Sequence, residues 1–179
     1  NALGVPVHLL GLDGESLADR IRRLGRMSPQ EIAPLIRQGL VGLEAAHKAG
    51  IVHRDLKPDN VYIIKEKAGR QDFVKIIDFG ISKFNALSGD MSMTRTGAVM
   101  GTPYYMSPEQ AKGAGSVNHQ SDIYSMGVIA FEALTGKVPF DGTTFNDLMF
   151  KIVLSEMPEL EVLVPGIDAG FAAIVRRAI

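Results

Sequence analysis

The sequence contains no cysteine, and that absence excludes disulfide bridges and thiolate metal sites. It has no apolar run near the ~20 residues that a membrane-spanning helix requires, so we expect no direct membrane contact from this segment. Neither sign of charge dominates, because 19 basic and 20 acidic side chains give a net charge of −1. A chain this close to neutral has no overall field to attract nucleic acid, and we expect none as a partner.

The composition is that of an ordinary globular protein. Hydrophobic residues make up 46% and charged residues 22% of the 179 positions, so the chain can form one domain with a packed core. It begins at Asn1 without an initiator methionine and resembles no signal peptide. We therefore expect it to come from the middle of a longer polypeptide.

The first fifty residues predict a strand and two helices. Residues 5–12 are rich in valine and leucine and predict a strand that ends in a turn at Asp13-Gly14. Ser16 is placed to cap a short helix that follows it. The residues Ser-Pro-Gln-Glu at 28–31 have the pattern of a capping box, which predicts a longer helix ending near residue 49.

The remaining sequence predicts a hairpin, a long loop and three helices. Residues 61–64 and 73–77 are short β-rich runs joined by a polar segment, as in a hairpin. Residues 81–102 have no sustained periodicity of hydrophobic residues, which predicts a functional loop. Residues 122–134 are apolar nearly all round, which is typical of a buried helix. Two amphipathic helices are predicted at the positions 144–154 and 168–179.

Two motifs indicate the chemistry of the chain. Residues 53–60 read His-Arg-Asp-Leu-Lys-Pro-Asp-Asn, and eighteen residues after Asn60 comes Asp78-Phe79-Gly80. Either His-Arg-Asp or Asp-Phe-Gly alone would be weak evidence, but the combination of the two motifs at this spacing strongly indicates a phosphoryl-transfer site. The competing interpretation is a pair of surface-loop carboxylates near basic residues, which a lone Asp-Phe-Gly would favour.

The residue types in these motifs fit the needs of phosphoryl transfer. Asp55 can orient a hydroxyl and remove its proton as a general base. Lys57 lies two residues further on and can neutralise a phosphate as a point charge. Asn60 offers a carbonyl oxygen and Asp78 a carboxylate, and both are suitable ligands for Mg²⁺. We therefore expect Asn60 and Asp78 to bind the metal.

On these residues the chain resembles the protein kinase family, on the side of the eukaryotic-like bacterial Ser/Thr kinases. Residues 101–109 resemble the end of an activation segment, and residues 121–127 resemble the start of the long central helix. The resemblance implies a mainly α (α+β) fold, the large C-terminal lobe over 15–179 with a hinge strand at about 8–14 and a small β-hairpin. It implies ATP- and Mg²⁺-dependent phosphorylation of Ser or Thr hydroxyls on protein substrates.

Residues 53–60 resemble the catalytic loop of the family, and the resemblance assigns roles around it. Asp55 would be the catalytic base, and Lys57 with Pro58 is typical of the Ser/Thr branch. Thr102 would hydrogen-bond near these residues and shape the site of the substrate hydroxyl. Asp122 would brace the backbone of the catalytic loop. Within the interior, His53 and Phe79 would stack.

The same resemblance assigns the nucleotide-binding residues. Residues 9–12 resemble the hinge, and we expect Leu10 and Leu12 to bind adenine. Tyr62 would form the floor of the adenine site, Ile77 would lie on the same apolar face, and Asp13 would lie near the ribose. Two alternatives stay open: Tyr62 as an ordinary strand residue and Asp13 as a solvated carboxylate.

A regulatory role is implied for Arg54, which precedes the catalytic aspartate. In the family such an arginine senses a phosphate on the activation loop, and Thr94 and Thr96 are the candidate phosphorylation sites. The alternative is that both are ordinary loop threonines.

The chain lacks the family's Gly-rich loop, its strand lysine and the glutamate that pairs with that lysine. We expect this N-lobe and the last C-lobe helix to be missing partners, Glu109 to be left without its arginine, and the fragment alone to be inactive. A noncatalytic, pseudokinase-like interaction module that docks partners near residues 145–152 is the alternative. A small-molecule kinase is less favoured, because segment 101–109 serves to cradle a peptide. The expected location is cytoplasmic, either free or within a membrane-tethered kinase.

Overall fold

The computed structural model describes residues 13–67, 69–79, 103–113 and 117–179. These residues form a mainly helical structure with one small sheet. The strands are β1 (Gly14–Ser16), β2 (Val61–Lys67) and β3 (Arg70–Ile76). The helices are α1 (Leu17–Leu24), α2 (Pro29–Lys48), α3 (Pro108–Ala111), α4 (His119–Thr135), α5 (Phe145–Leu154), α6 (Leu160–Leu163) and α7 (Ala169–Ala178), with short 3₁₀ turns at Pro58–Asn60 and Pro103–Tyr105.

The sheet has the order β1-β2-β3, and both pairings are antiparallel. The predicted hairpin is confirmed, but its strands extend further than expected, with Lys67 paired to Arg70 beside the turn. The predicted turn at Asp13-Gly14 is wrong, because Gly14 begins β1 and pairs with Ile64. A Cβ atom at Gly14 would lie 2.2 Å from the carbonyl oxygen of Ile63, so only glycine permits this close approach.

The predicted helix starts are confirmed by their hydrogen bonds. The Ser16 side chain accepts from the amide of Asp19 and begins α1. At α2, the hydroxyl of Ser28 accepts from the Glu31 amide while the Glu31 carboxylate accepts from the Ser28 amide. This reciprocal pair satisfies two amide groups that would otherwise lack partners at the first turn.

Helix α4 forms the centre of the core. Thirteen of its seventeen residues are buried, as the apolar sequence of residues 122–134 predicts. It packs against both α2 and α7. None of the helices within the described ranges is both long and apolar enough to cross a membrane. Residues 8–12 of the predicted hinge at about 8–14, and the predicted loop at 81–102, lie outside the described residues.

Candidate active site

The catalytic loop is fixed to the start of α4 by Asp122. This carboxylate is 1% exposed and accepts hydrogen bonds from the backbone amides of His53 (2.8 Å) and Arg54 (2.9 Å). Arg54 has a φ of 66°, a left-handed conformation that an L residue with a side chain adopts only at a cost in free energy. The two hydrogen bonds help to offset that strain, and the predicted bracing role of Asp122 is confirmed.

His47, at the end of α2, gives Asp122 a third partner that the sequence did not predict. The Nε2 atom of His47 lies 2.7 Å from the Asp122 carboxylate, and the imidazole ring is 5.7 Å from that of His119. The contact joins residues 75 positions apart in the chain. No local pattern in the sequence could reveal it.

The His53 side chain joins the catalytic loop to the second motif. Its Nε2 atom donates to the carbonyl oxygen of Ile77 at 2.9 Å, and its Nδ1 atom accepts from the amide of Asp55 at 3.3 Å. These roles require a neutral imidazole with its proton on Nε2. The ring centroid lies 4.7 Å from that of Phe79, so the predicted stacking is confirmed. His53 is therefore a structural residue that positions its neighbours.

Three polar side chains lie together in the catalytic loop. The ammonium group of Lys57 is 3.9 Å from the Asp55 carboxylate, and both side chains are about three-quarters buried, at 24% and 27% exposed. The side-chain amide of Asn60 donates through Nδ2 to the carbonyl oxygen of Asp55 at 2.8 Å. That bond fixes the amide so that Oδ1 is the atom left for a cation.

Asp78 is held next to the Asn60 turn by its two chain neighbours. The amide of Ile77 donates to the carbonyl oxygen of Asn60 at 2.9 Å, and Phe79 packs on His53. Asp78 itself is exposed and has a φ of 55°. Strained backbone of this kind clusters at functional sites. The two motifs are thus brought together, although their metal-binding role stays a prediction.

The donor set suits Mg²⁺. Within the described ranges, no three histidine or acidic side chains form a cluster that could hold a metal ion alone. Mg²⁺ does not need such a cluster, because it keeps several water ligands and binds one or two protein oxygens together with substrate phosphates. Asn60 and Asp78 supply two oxygen donors of the required type, so the residues present fit the ion.

The predicted nucleotide-binding residues are only partly described. Tyr62 lies in β2 and is 5% exposed, which limits access to its ring, so its role as an adenine floor stays a prediction. Ile77 is half-buried. Asp13 is 79% exposed and pairs with Lys65 at 2.9 Å, as a solvated carboxylate would. The remaining predicted site residues lie outside the described residues: Leu10, Leu12, Thr94, Thr96 and Thr102.

The segment that resembles the end of an activation segment is anchored on α4. The Tyr105 hydroxyl donates to the Glu132 carboxylate at 2.7 Å, and the Ser125 hydroxyl donates to the Tyr105 carbonyl oxygen at the same distance. Burial raises the pKa of Glu132, the Tyr105 bond opposes that shift, and the nearby charge of Asp59 adds to it. Glu109, expected to lack a partner, accepts a hydrogen bond from the Ser121 hydroxyl instead.

Comparison with known proteins agrees with this geometry. The sequence profile of the protein kinase domain matches residues 9–165. Serine/threonine-protein kinase pkn2 of Myxococcus xanthus is 46% identical over 131 residues, which cover 73% of this chain and 15% of pkn2. PknL of Mycobacterium tuberculosis is 35% identical over 167 residues, 93% of this chain and 40% of PknL.

PknB of the same bacterial species is 38% identical over 168 residues, which cover 94% of this chain and 26% of PknB. The chain therefore spans less than half the length of these curated relatives, all of which are named serine/threonine-protein kinases. The profile match covers most of the chain. On this match, and on the two motifs that the structure joins through His53, the chain belongs to the protein kinase family.

Proposed function

We propose that this chain is the catalytic C-terminal lobe of a serine/threonine protein kinase, which phosphorylates protein substrates with ATP and Mg²⁺. One observation supports it most strongly. The His53 side chain contacts the Asp55 amide, the Ile77 carbonyl oxygen and the Phe79 ring, so a single residue ties the proposed base to the proposed metal ligand. A pair of unrelated surface carboxylates would not need such a shared anchor.

In this proposal Asp55 accepts the proton of the substrate hydroxyl as its oxygen attacks the γ-phosphorus of ATP. One P–O bond forms, the bond to the β-phosphate oxygen breaks, and ADP leaves. Lys57, 3.9 Å from the Asp55 carboxylate, stabilises the negative charge of the phosphoryl group in transit. Bound Mg²⁺, held by Asn60 and Asp78, would neutralise the phosphates. Thr102 completes the hydroxyl site.

The proposal assigns the remaining kinase parts to polypeptide outside these 179 residues. The relatives are more than twice as long as the matched region, and this sequence has no Gly-rich loop. We propose a hinge at about 8–14, with Leu10 and Leu12 binding adenine beside Tyr62 and Ile77, and the C-lobe at 15–179. We expect the fragment alone to have negligible activity and the enzyme to work in the cytoplasm, where ATP is available.

Regulation by phosphorylation is part of the same proposal. Arg54 is held at a fixed backbone position by Asp122, and its carbonyl oxygen accepts a hydrogen bond from Gln110, which follows the 103–105 turn. A phosphate on Thr94 or Thr96 would pair with the Arg54 guanidinium and order the predicted loop at 81–102. Mass spectrometry of active full-length enzyme should detect phosphate on one or both threonines.

The test is a phosphate-transfer assay on the full-length protein with γ-labelled ATP, Mg²⁺ and a panel of proteins that contain Ser and Thr. We expect Asp55→Asn to lower kcat by roughly 10²–10⁴-fold, because the general base is lost. The matched control is Asp141→Asn, in an exposed loop where the asparagine oxygen can still accept from the Gly142 amide. Equal rates for Asp55→Asn and wild type would contradict the proposal.

A noncatalytic docking module is the second candidate. It is favoured by Phe150 and Leu154 of α5, whose side chains are each 64% exposed. A docking module should bind its partner without nucleotide and transfer no phosphate. A full-length protein with transfer activity sensitive to Asp55→Asn would exclude it as the whole function.

A further inference from the structure

Gln110 uses both ends of its side-chain amide. It is the third residue of α3, and its side-chain Oε1 atom accepts from the backbone amide of Ser107 at 3.0 Å. The backbone amide of Gln110 in turn donates to the Ser107 hydroxyl. This is a capping box. Its Nε2 atom donates in addition to the carbonyl oxygen of Arg54 at 2.8 Å, a contact between residues 56 positions apart.

The Arg54 carbonyl belongs to the peptide group that carries the Asp55 amide. That amide donates to His53 Nδ1, so the peptide plane is held at one end by His53 and at the other by Gln110. The preceding amide, of Arg54, is held by Asp122. The side chains of His53 in the loop, Gln110 in α3 and Asp122 in α4 thus fix the backbone on both sides of Arg54, which has a φ of 66°. The direction of the Asp55 side chain depends on that plane.

The second capping box in the chain shows that capping alone does not require glutamine. At α2 the same position is occupied by Glu31, whose carboxylate accepts from the Ser28 amide. A glutamate at position 110 would cap α3 equally well, but it would place a carboxylate oxygen against the Arg54 carbonyl oxygen. Glutamine can accept from Ser107 and donate to Arg54 at once, whereas an ionised glutamate can only accept.

We propose that Gln110 is a positioning residue that couples the 103–111 segment to the catalytic loop and holds Asp55 in its working orientation. The proposal rests on the proposed kinase function and extends it. A displacement of α3 would act on Asp55 through this single hydrogen bond and the peptide plane that it holds. The state of the segment that ends at α3 would thereby influence the rate of phosphate transfer.

The test exchanges the two capping residues in the full-length protein. Gln110→Glu keeps the cap and removes the bond to Arg54, whereas Glu31→Gln makes the reverse exchange on an exposed face of α2. We expect Gln110→Glu to lower kcat about tenfold, or ~1.4 kcal/mol, with the KM for ATP within about twofold of wild type. Glu31→Gln should leave both constants unchanged.

Two further readouts separate positioning from a merely structural role. Hydrogen exchange of the Asp55 amide should be faster in Gln110→Glu than in wild type, because its peptide plane is released. The ratio of variant to wild-type kcat should rise as pH falls towards 5, since a protonated carboxyl can again donate to the Arg54 carbonyl. Should Gln110→Glu not fold, kcat and exchange are measured on Gln110→Met, which preserves side-chain length.

Unchanged kcat and unchanged exchange at Asp55 in the variant would overturn the proposal. If the wild-type protein transfers no phosphate, the proposed function fails, but the exchange rates still decide whether Gln110 holds the loop. The two failures are therefore distinguishable.

Discussion

At the residue scale, Asp122 shows how one buried carboxylate orders a loop. A buried charge is costly unless hydrogen bonds replace its hydration. Asp122 has three such partners, the amides of His53 and Arg54 and the imidazole of His47. These hydrogen bonds replace the water that would solvate the carboxylate, and they fix the backbone that leads to Asp55.

Replacing Asp122 with alanine should destabilise the fold by roughly 3 kcal/mol. The change leaves one buried and one partly buried backbone amide, of His53 and Arg54, without their acceptor. The loss at a buried amide costs about 1–3 kcal/mol. Urea unfolding monitored by circular dichroism would measure the effect. The control is Glu156→Ala at an exposed position, which should change stability by under ~0.5 kcal/mol. Similar unfolding midpoints for both variants would contradict the bracing role.

Glu132 makes a separate prediction about pH. Its pKa is raised in the folded protein, chiefly by burial, so the folded state holds this proton to higher pH than the unfolded state does. The stabilisation is complete below the ordinary carboxyl pKa, about 4.3, and is lost as pH rises through the higher folded value. Relative to Glu132→Gln, which keeps an acceptor for Tyr105, the wild type should lose stability between pH 4 and 7.

Chemical unfolding of the wild type and Glu132→Gln at several pH values checks this sign. The comparison cancels the opposite trend of carboxylates whose pKa is lowered in the folded state, such as Asp72 beside Arg20. A stability difference that stays constant from pH 4 to 7 would show that Glu132 does not titrate as its burial requires.

The sequence predicted some residue roles and not others, for a physical reason. Family resemblance was sufficient for the Asp122 brace and for the stacking of His53 on Phe79. His47 and Gln110 were missed, since their partners lie 75 and 56 positions away and only folding brings them together. The pattern Ser-x-x-Gln at 107–110 did contain a signal for the start of α3, but none for the bond to Arg54.

At the scale of elements, the end of α4 depends on a glycine. Gly136 has a φ of 74° and accepts no side chain easily, because a Cβ atom there would lie 2.7 Å from the carbonyl oxygen of Gly25. The close approach packs the end of α4 against the connection between α1 and α2.

Substitution of Gly136 with alanine should therefore be more harmful than the same change at Gly166. Gly166 has a similar φ of 82°, but a Cβ atom there would meet nothing within 4 Å. Gly166→Ala should cost only the left-handed strain, about 1–2 kcal/mol, whereas Gly136→Ala should add roughly 1–3 kcal/mol for the backbone shift. Urea unfolding of the two variants gives the difference, and equal losses would refute the packing explanation.

Elements with a clear capping residue, or with a hydrophobic pattern that continues over many residues, were predicted from the sequence. Short elements were not. Helices α1, α2, α4, α5 and α7 and the hairpin all follow from patterns in the sequence. Strand β1 was missed, because Asp13-Gly14 favours a turn and only pairing with β2 makes its three residues a strand. Helices α3 and α6 have four residues each, too few to show a period.

At the scale of the whole molecule, α4 is the frame on which the site is assembled. Its first turn holds the catalytic loop through Asp122. Ser125 in the second turn and Glu132 in the last turn hold the 103–105 turn. The catalytic loop in turn holds the segment that begins with Asp78. The proposed base, the proposed metal ligand and the 103–105 turn are therefore all positioned, directly or through the catalytic loop, by one buried helix. The site is therefore held in one arrangement although these residues are far apart in the sequence.

We propose that Asn60 and Asp78 hold one Mg²⁺ ion beside Asp55, and the affinity for ATP with and without the ion tests this role. ATP binding to full-length protein is measured by calorimetry with and without Mg²⁺ for wild type, Asp78→Asn and the control Asp168→Asn, which retains the N-cap of α7. We predict that Mg²⁺ tightens ATP binding to wild type and to the control at least tenfold, and that Asp78→Asn abolishes most of this gain. An equal gain in ATP affinity from Mg²⁺ in all three proteins would show that Asp78 does not bind the ion.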